Sequence, residues 1–125
     1  IDNMFVMLCN SFMSQDLSRV DHYIGDELYK IYDTKIKELS NLDYRQMYDE
    51  LSVKSTEILD AHVIDNKIVV NVLLVSRYFD YIVNKTSNRV ISGNRFNKIQ
   101  KNALKFRCKS IHITKLFCIG YIKLY

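Results

Sequence analysis

Phe5, Leu8, Cys9 and Phe12 stand at i, i+3, i+4 and i+7, which is one apolar stripe of an amphipathic helix over Asp2 to Met13. Ser14 or Asp16 can then cap a short helix through Leu17, Val20 and Ile24, with Gly25 as its C-terminal stop. Asp26 follows as the next N-cap. From Asp26 to Leu39, Leu28, Ile31, Tyr32, Ile36 and Leu39 recur at helical spacing, with Glu27, Asp33, Lys35, Lys37 and Glu38 on the other side. Asn41 to Asp43 breaks the pattern.

From Leu51 onward the period changes to two, the repeat of a strand. Within Thr56 to Ile64, Ile58, Asp60, His62 and Ile64 alternate with Leu59, Ala61 and Val63. Asp65 and Asn66 both tolerate positive φ and predict a two-residue hairpin turn. The return arm, Lys67 to Tyr81, is rich in Val and Ile on both faces through Val75, which predicts a long central strand covered by helices on one side. Lys85 to Asn88 makes the next turn, and Val90 and Ile91 lead into another at Ser92, Gly93 and Asn94. Arg95 to Lys109 admits two readings. As a strand it turns Leu104, Phe106 and Cys108 inward, and as a helix it aligns Phe96, Ile99, Ala103 and Phe106; the strand is preferred. A last strand falls within Ile111 to Leu124. Helices followed by a meander of strands predict an α+β domain, with the helices in the concavity of a curved antiparallel sheet.

The chain has 125 residues, 48% of them hydrophobic, enough for a single domain with one substantial core. Pro is absent, and Ile, Lys, Asn and Tyr are frequent in a way that coding bias also produces, so lysine number by itself carries little weight. The distribution of charge carries more. Residues 1–84 hold 8 Lys/Arg against 14 Asp/Glu, whereas residues 85–125 hold 10 Lys/Arg and no acid. That division predicts one face prepared for an anionic partner, with a merely solvated lysine-rich strand as the plainer reading. Lys98, Lys101, Lys105, Arg107 and Lys109 are the candidate lipid-binding residues, since four of them share strand parity and each basic residue near an anionic bilayer contributes about 1 kcal/mol.

Cys9, Cys108 and Cys118 are odd in number and lack metal-ligand spacing, so reduced thiols are expected, with no metal and no cofactor. His22, His62 and His112 fall in different elements, and no GxSxG, phosphate-binding glycine loop or HExxH occurs, so no catalytic residue is assigned. No apolar run reaches the roughly 18 residues that cross a bilayer. The sequence opens at Ile1 without a basic, signal-like flank and reads as a piece of a longer protein, with room upstream for an anchor or targeting segment. Met4, Phe5, Met7, Leu8, Phe12 and Met13 form a broad apolar surface, but the polar side of that helix has no Lys or Arg to meet lipid, which favours a core role. Tyr23, Tyr29, Tyr32, Val72 and Leu74 are the candidate lining of an apolar pocket, against the simpler expectation of a filled core. Phe96, Phe106, Phe117 and Tyr121 accompany the basic third and keep an RNA-binding reading open.

The pattern Phe5, Phe12, Asp16-Leu17, Val20, Ile24, Glu27-Leu28-Tyr29, then Ile58-Leu59-Asp60-Ala61, Val75-Ser76 and Val90-Ile91-Ser92-Gly93 resembles the Tim-forty-four-like domain family, most clearly over residues 1–108. The resemblance implies a cone-shaped fold of the nuclear-transport-factor-two type and peripheral attachment to a cardiolipin-rich inner membrane. In eukaryotic members it further implies tethering of a DnaK-type chaperone at a translocation channel. The chain departs from the family in having no Trp and in its tail from Ser110 to Tyr125. Together these readings predict a non-enzymatic peripheral inner-membrane domain, on the bacterial cytoplasmic membrane or the mitochondrial matrix side. It would bind anionic phospholipid and a translocation- or chaperone-type partner, in support of protein translocation or envelope assembly. An RNA- or ribosome-binding module and an apolar-ligand pocket domain are the alternatives.

Overall fold

The computed structural model describes residues 2–65, 67–93, 100–112 and 115–124, the last two stretches as strand backbone. Two helices, α1 (Asp2–Ser14) and α2 (Asp26–Asn41), precede the strands β1 (Tyr44–Ile64), β2 (Lys67–Asn84), β3 (Val90–Gly93), β4 (Gln100–His112) and β5 (Lys115–Leu124). All strand pairings are antiparallel, in the order β1-β2-β4-β5, with β3 pairing the far end of β2. The α+β architecture expected from the sequence is the one observed.

The α1 stripe of Phe5, Leu8, Cys9 and Phe12 is buried, as are Leu28, Tyr32 and Ile36 of α2. They meet Val72, Leu74 and Tyr78 of β2, so alternate residues of the central strand form the floor of the core. Ring contacts tie the layers together. Phe12 lies edge-on to Tyr32 at 5.6 Å between centroids, and Tyr48 of β1 lies edge-on to Tyr78 at 5.2 Å.

The curvature has a local cause. Between Asp49 and Ser52, Val53 and Ser55, and Ile58 and Asp60, β1 advances one residue more than β2, so three bulges fall on the same strand. Glu50 sits in the first with φ 51°. Each extra residue bends and twists the bulged strand, and an edge strand interrupted in this way is a poor template for another chain.

Four expectations are corrected. The short helix through Leu17, Val20 and Ile24 is a series of turns instead. Gln15 at φ 59° stops α1, the Asp16 carboxylate accepts the Ser18 N–H at 3.0 Å, and the Val20 and Tyr23 N–H groups bond three residues back. A side chain that bonds its own backbone competes with the helical ladder. The three apolar residues are nonetheless buried, because spacing of three to four suits successive turns as well as a helix. Gly25 is the N-cap of α2 rather than a C-terminal stop, its carbonyl accepting the Tyr29 N–H at 2.9 Å, and Asp26 is therefore the first helical residue. β1 begins at Tyr44, seven residues before the change of period, because Tyr44 pairs with Asn84. Ser92 and Gly93 belong to β3, paired with Ile82 and Tyr81, rather than to a turn. Asn66, Asn94 and residues 95–99 lie outside the described residues, while Ile64 pairs with Lys67 as a tight hairpin requires.

Candidate functional site

The basic row lies on β4, the inner neighbour of β2. Lys101, Lys105, Arg107 and Lys109 stand in register with Arg77, Leu73, Asn71 and Val69 of β2. On the other side, Lys105, Arg107 and Lys109 stand in register with Ile122, Gly120 and Phe117 of β5. Neither flanking strand places a carboxylate opposite a base. Arg77 adds a further cation opposite Lys101, and its Nε is buried with no hydrogen-bond partner among the described residues. The positions opposite the buried Leu74 and Val72 are instead Leu104 and Phe106, so the basic positions share register with the β2 residues that alternate with the core floor. Lys98 lies outside the described residues.

The five candidate pocket residues are placed differently from one another. Val72 and Leu74 are completely buried in the core, Tyr29 is half-buried against it, and Tyr23 is exposed in the turns before α2. Tyr32 lines a cavity of about 380 Å³ between the end of α2 and the neighbouring ends of β1 and β2, with Phe12, Leu39, Leu42, Tyr48 and Ile82. Gln46 at its wall is fixed by its Nε2 amide, whose two hydrogens are shared among Asp80 Oδ1 at 2.6 Å and the Met47 and Tyr81 carbonyls at 3.1 Å. Beside it the Tyr81 hydroxyl donates to Asp49. Sequence reasoning missed this cavity, since Leu42, Gln46 and Ile82 come together only through the β1–β2 pairing and the packing of α2 upon it.

The free end of the β1–β2 hairpin was also missed. Every residue from Lys54 to Val63 is exposed. Ile58, Ala61 and Val63 pair with Val72, Val70 and Ile68, on the face that carries the helices further along. Ile58 is 62% exposed, Val63 70%, Ile68 44% and the bulged Leu59 46%. Nothing in the sequence signalled it, since exposure of this end depends on how far the helices reach along the paired strands.

Acid–base chemistry is sparse. His62 Nδ1 lies 3.4 Å from Asp60 Oδ1, and that carboxylate also accepts a 2.6 Å bond from Asn71 Nδ2; both partners of the imidazole pair are open to solvent. His22 is exposed beside Asp21 at 3.5 Å. Burial pushes the Cys9 thiol up to about 12, which leaves it protonated at neutral pH and unreactive. The Ser18 N–H holds the Asp16 carboxyl below its ordinary value, and the Asp33 carboxylate holds the Lys37 ammonium above its own. Among the described residues no three His, Cys, Asp or Glu side chains gather as metal ligands, and no helix is long and apolar enough to cross a membrane.

Two helices laid on an antiparallel sheet with three bulges in its first strand, a basic strand and an exposed apolar hairpin define an α+β domain organised around its surfaces. The chain belongs to the Tim44-like domain family, whose model matches residues 1–102. This family is membrane-associated, involved in protein translocation and generally non-enzymatic. Among solved structures, the crystal structure of the intermembrane space region of the chloroplast protein ARC6 shares the fold. Its TM-score is 0.61 at 8% identity, covering 98% of this chain and 92% of that one. No curated protein matches the sequence.

Proposed function

We propose that this domain is a non-enzymatic peripheral module that holds an anionic phospholipid surface through β4 while another face engages a protein partner in translocation or envelope assembly. The observation that carries the reading is the uncompensated row Lys101, Lys105, Arg107 and Lys109, which faces no acid across either flanking strand. Basic positions with no acid opposite them in register are placed to attract an external anion, at about 1 kcal/mol per residue near an anionic membrane. Family membership supports the membrane and the translocation role. The face of attachment is the inner membrane, on its cytoplasmic or matrix side.

Co-sedimentation with cardiolipin-containing and with neutral vesicles across a salt series tests this. The wild type is expected to bind the anionic vesicles, progressively less as salt screens the charges. Lys101→Glu, Lys105→Glu and Arg107→Glu combined should weaken binding at least about a hundredfold, because three contributions of about 1 kcal/mol are lost and then reversed. Equal indifference to both vesicle types would end the lipid reading. Salt-dependent binding of RNA without vesicle binding would favour the nucleic-acid alternative.

A further inference from the structure

We propose that the free end of the β1–β2 hairpin is a shallow membrane-inserting tip, with Val63 and Ile68 entering the bilayer interface and Ile58 and Leu59 following as the hairpin tilts. The inference rests on the anionic-membrane reading above. Register places Val63 opposite Ile68, immediately before and after the turn at residues 65–66, and Ile58 opposite Val72 on the same face. All four apolar residues are between 44% and 70% exposed, in a domain that buries the corresponding face of β2 from Val72 to Tyr78. The helices cover the middle of that face and leave its end bare.

The surroundings select the occupant. Ser110 is in register with Ile68 and His112 with Lys115, so the ends of both hairpins lie at the same edge of the sheet. Lys67, Lys109 and Lys115 all stand at that edge, against Asp60 and Asp65. Asp60, already held by Asn71 and His62, shares with Lys67 and Lys109 the face opposite to Val63. The edge is therefore apolar on one face with an excess of cations around it, which complements an interface of acyl chains beneath anionic headgroups.

Competing occupants fit less well. The exposed residues are aliphatic, so they offer no ring on which a base could stack. Four side chains also fall well short of the roughly 800 Å² per partner of a stable protein interface. An interfacial depth of about 5 to 10 Å corresponds to two or three strand residues, which is the distance from the turn to Val63 and Ile68. Asp65, exposed in the turn, is the group the tilt must keep at headgroup level.

The chain contains no Trp, so Val63→Trp introduces a single reporter. With vesicles containing cardiolipin, its emission is expected to shift to the blue and to be quenched by lipids brominated near the headgroup. Trp placed at Ile31, an exposed position on α2, should remain unshifted. The double variant Val63→Ser, Ile68→Ser should bind these vesicles about tenfold more weakly with an unchanged circular dichroism spectrum, because both positions are exposed. Co-sedimentation without any change in the Val63→Trp emission would overturn the tip while leaving the basic face standing. Absence of co-sedimentation would overturn both.

Discussion

At the residue scale, the positions that were legible are those whose role depends on near neighbours in the chain. Phe5, Leu8, Cys9 and Phe12 were readable as one stripe, and all four are buried. Cys9 shows what that burial does chemically. Its thiol is pushed up to about 12 by desolvation, which disfavours the thiolate. Below about pH 9 the thiol is protonated in both the folded and the unfolded chain and adds no pH dependence. Between 9 and 12 the unfolded chain releases a proton that the folded chain retains, so native stability falls as pH rises through that window. Comparing urea midpoints at pH 8 and pH 10.5, the wild type should lose roughly 2 kcal/mol more than Cys9→Ala. Equal losses would show that this burial does not hold in solution. The basic residues of β4 were legible too, as a run without acids, whereas the exposure of Val63 and Ile58 was not, since apolar residues in a strand pattern ordinarily imply a covered face.

At the scale of elements, both helices, the hairpin and the strand reading of residues 100–109 were available from periodicity and turn chemistry. The departures arose where a backbone group found a competing partner. Asp16 bonds to Ser18 and replaces a helical turn, and the pairing of Tyr44 with Asn84 extends β1 backward through a stretch without strand periodicity. β3 offers a sharp test of such local constraint. Gly93 has φ +81°, and a Cβ there would lie 2.3 Å from the Asp80 carbonyl oxygen and 2.7 Å from Tyr81 Cα. Both are backbone atoms that cannot step aside. Gly93→Ala should therefore cost about 1 to 3 kcal/mol by urea unfolding, and a neutral result would contradict this pairing of β3 with β2.

At the scale of the whole molecule, one corner binds four elements. Lys85 follows β2, its N–H donates to the Asp43 carbonyl at 2.8 Å, and its ammonium reaches Gln15 Oε1 at 3.1 Å and Ser40 Oγ at 3.2 Å. The ends of α1 and α2, the start of β1 and the finish of β2 are thereby fixed together, which sets where the helix layer sits on the sheet. Lys85→Met keeps the aliphatic stem and removes both ammonium bonds, with an expected loss of about 1 to 2 kcal/mol in urea unfolding. An unchanged midpoint would mean that apolar packing by itself positions the layer. The segregation of charge belongs to this scale as well, since the acid-free final third forms β4 and β5 while β1, with Asp49, Glu50, Glu57 and Asp60, is held apart from β4 by β2.

The sequence by itself determined the α+β class, the two helices, the hairpin and the concentration of cations late in the chain. Those depend on period, turn residues and composition, which act over a few residues at a time. The tertiary structure decided the three bulges that bend β1, the cavity between α2 and the sheet, the absence of acids across from β4, and the bare apolar end of the hairpin. Each of these depends on register and on how far a helix layer reaches across a sheet, and such distances between remote segments are fixed only when the pairings are made.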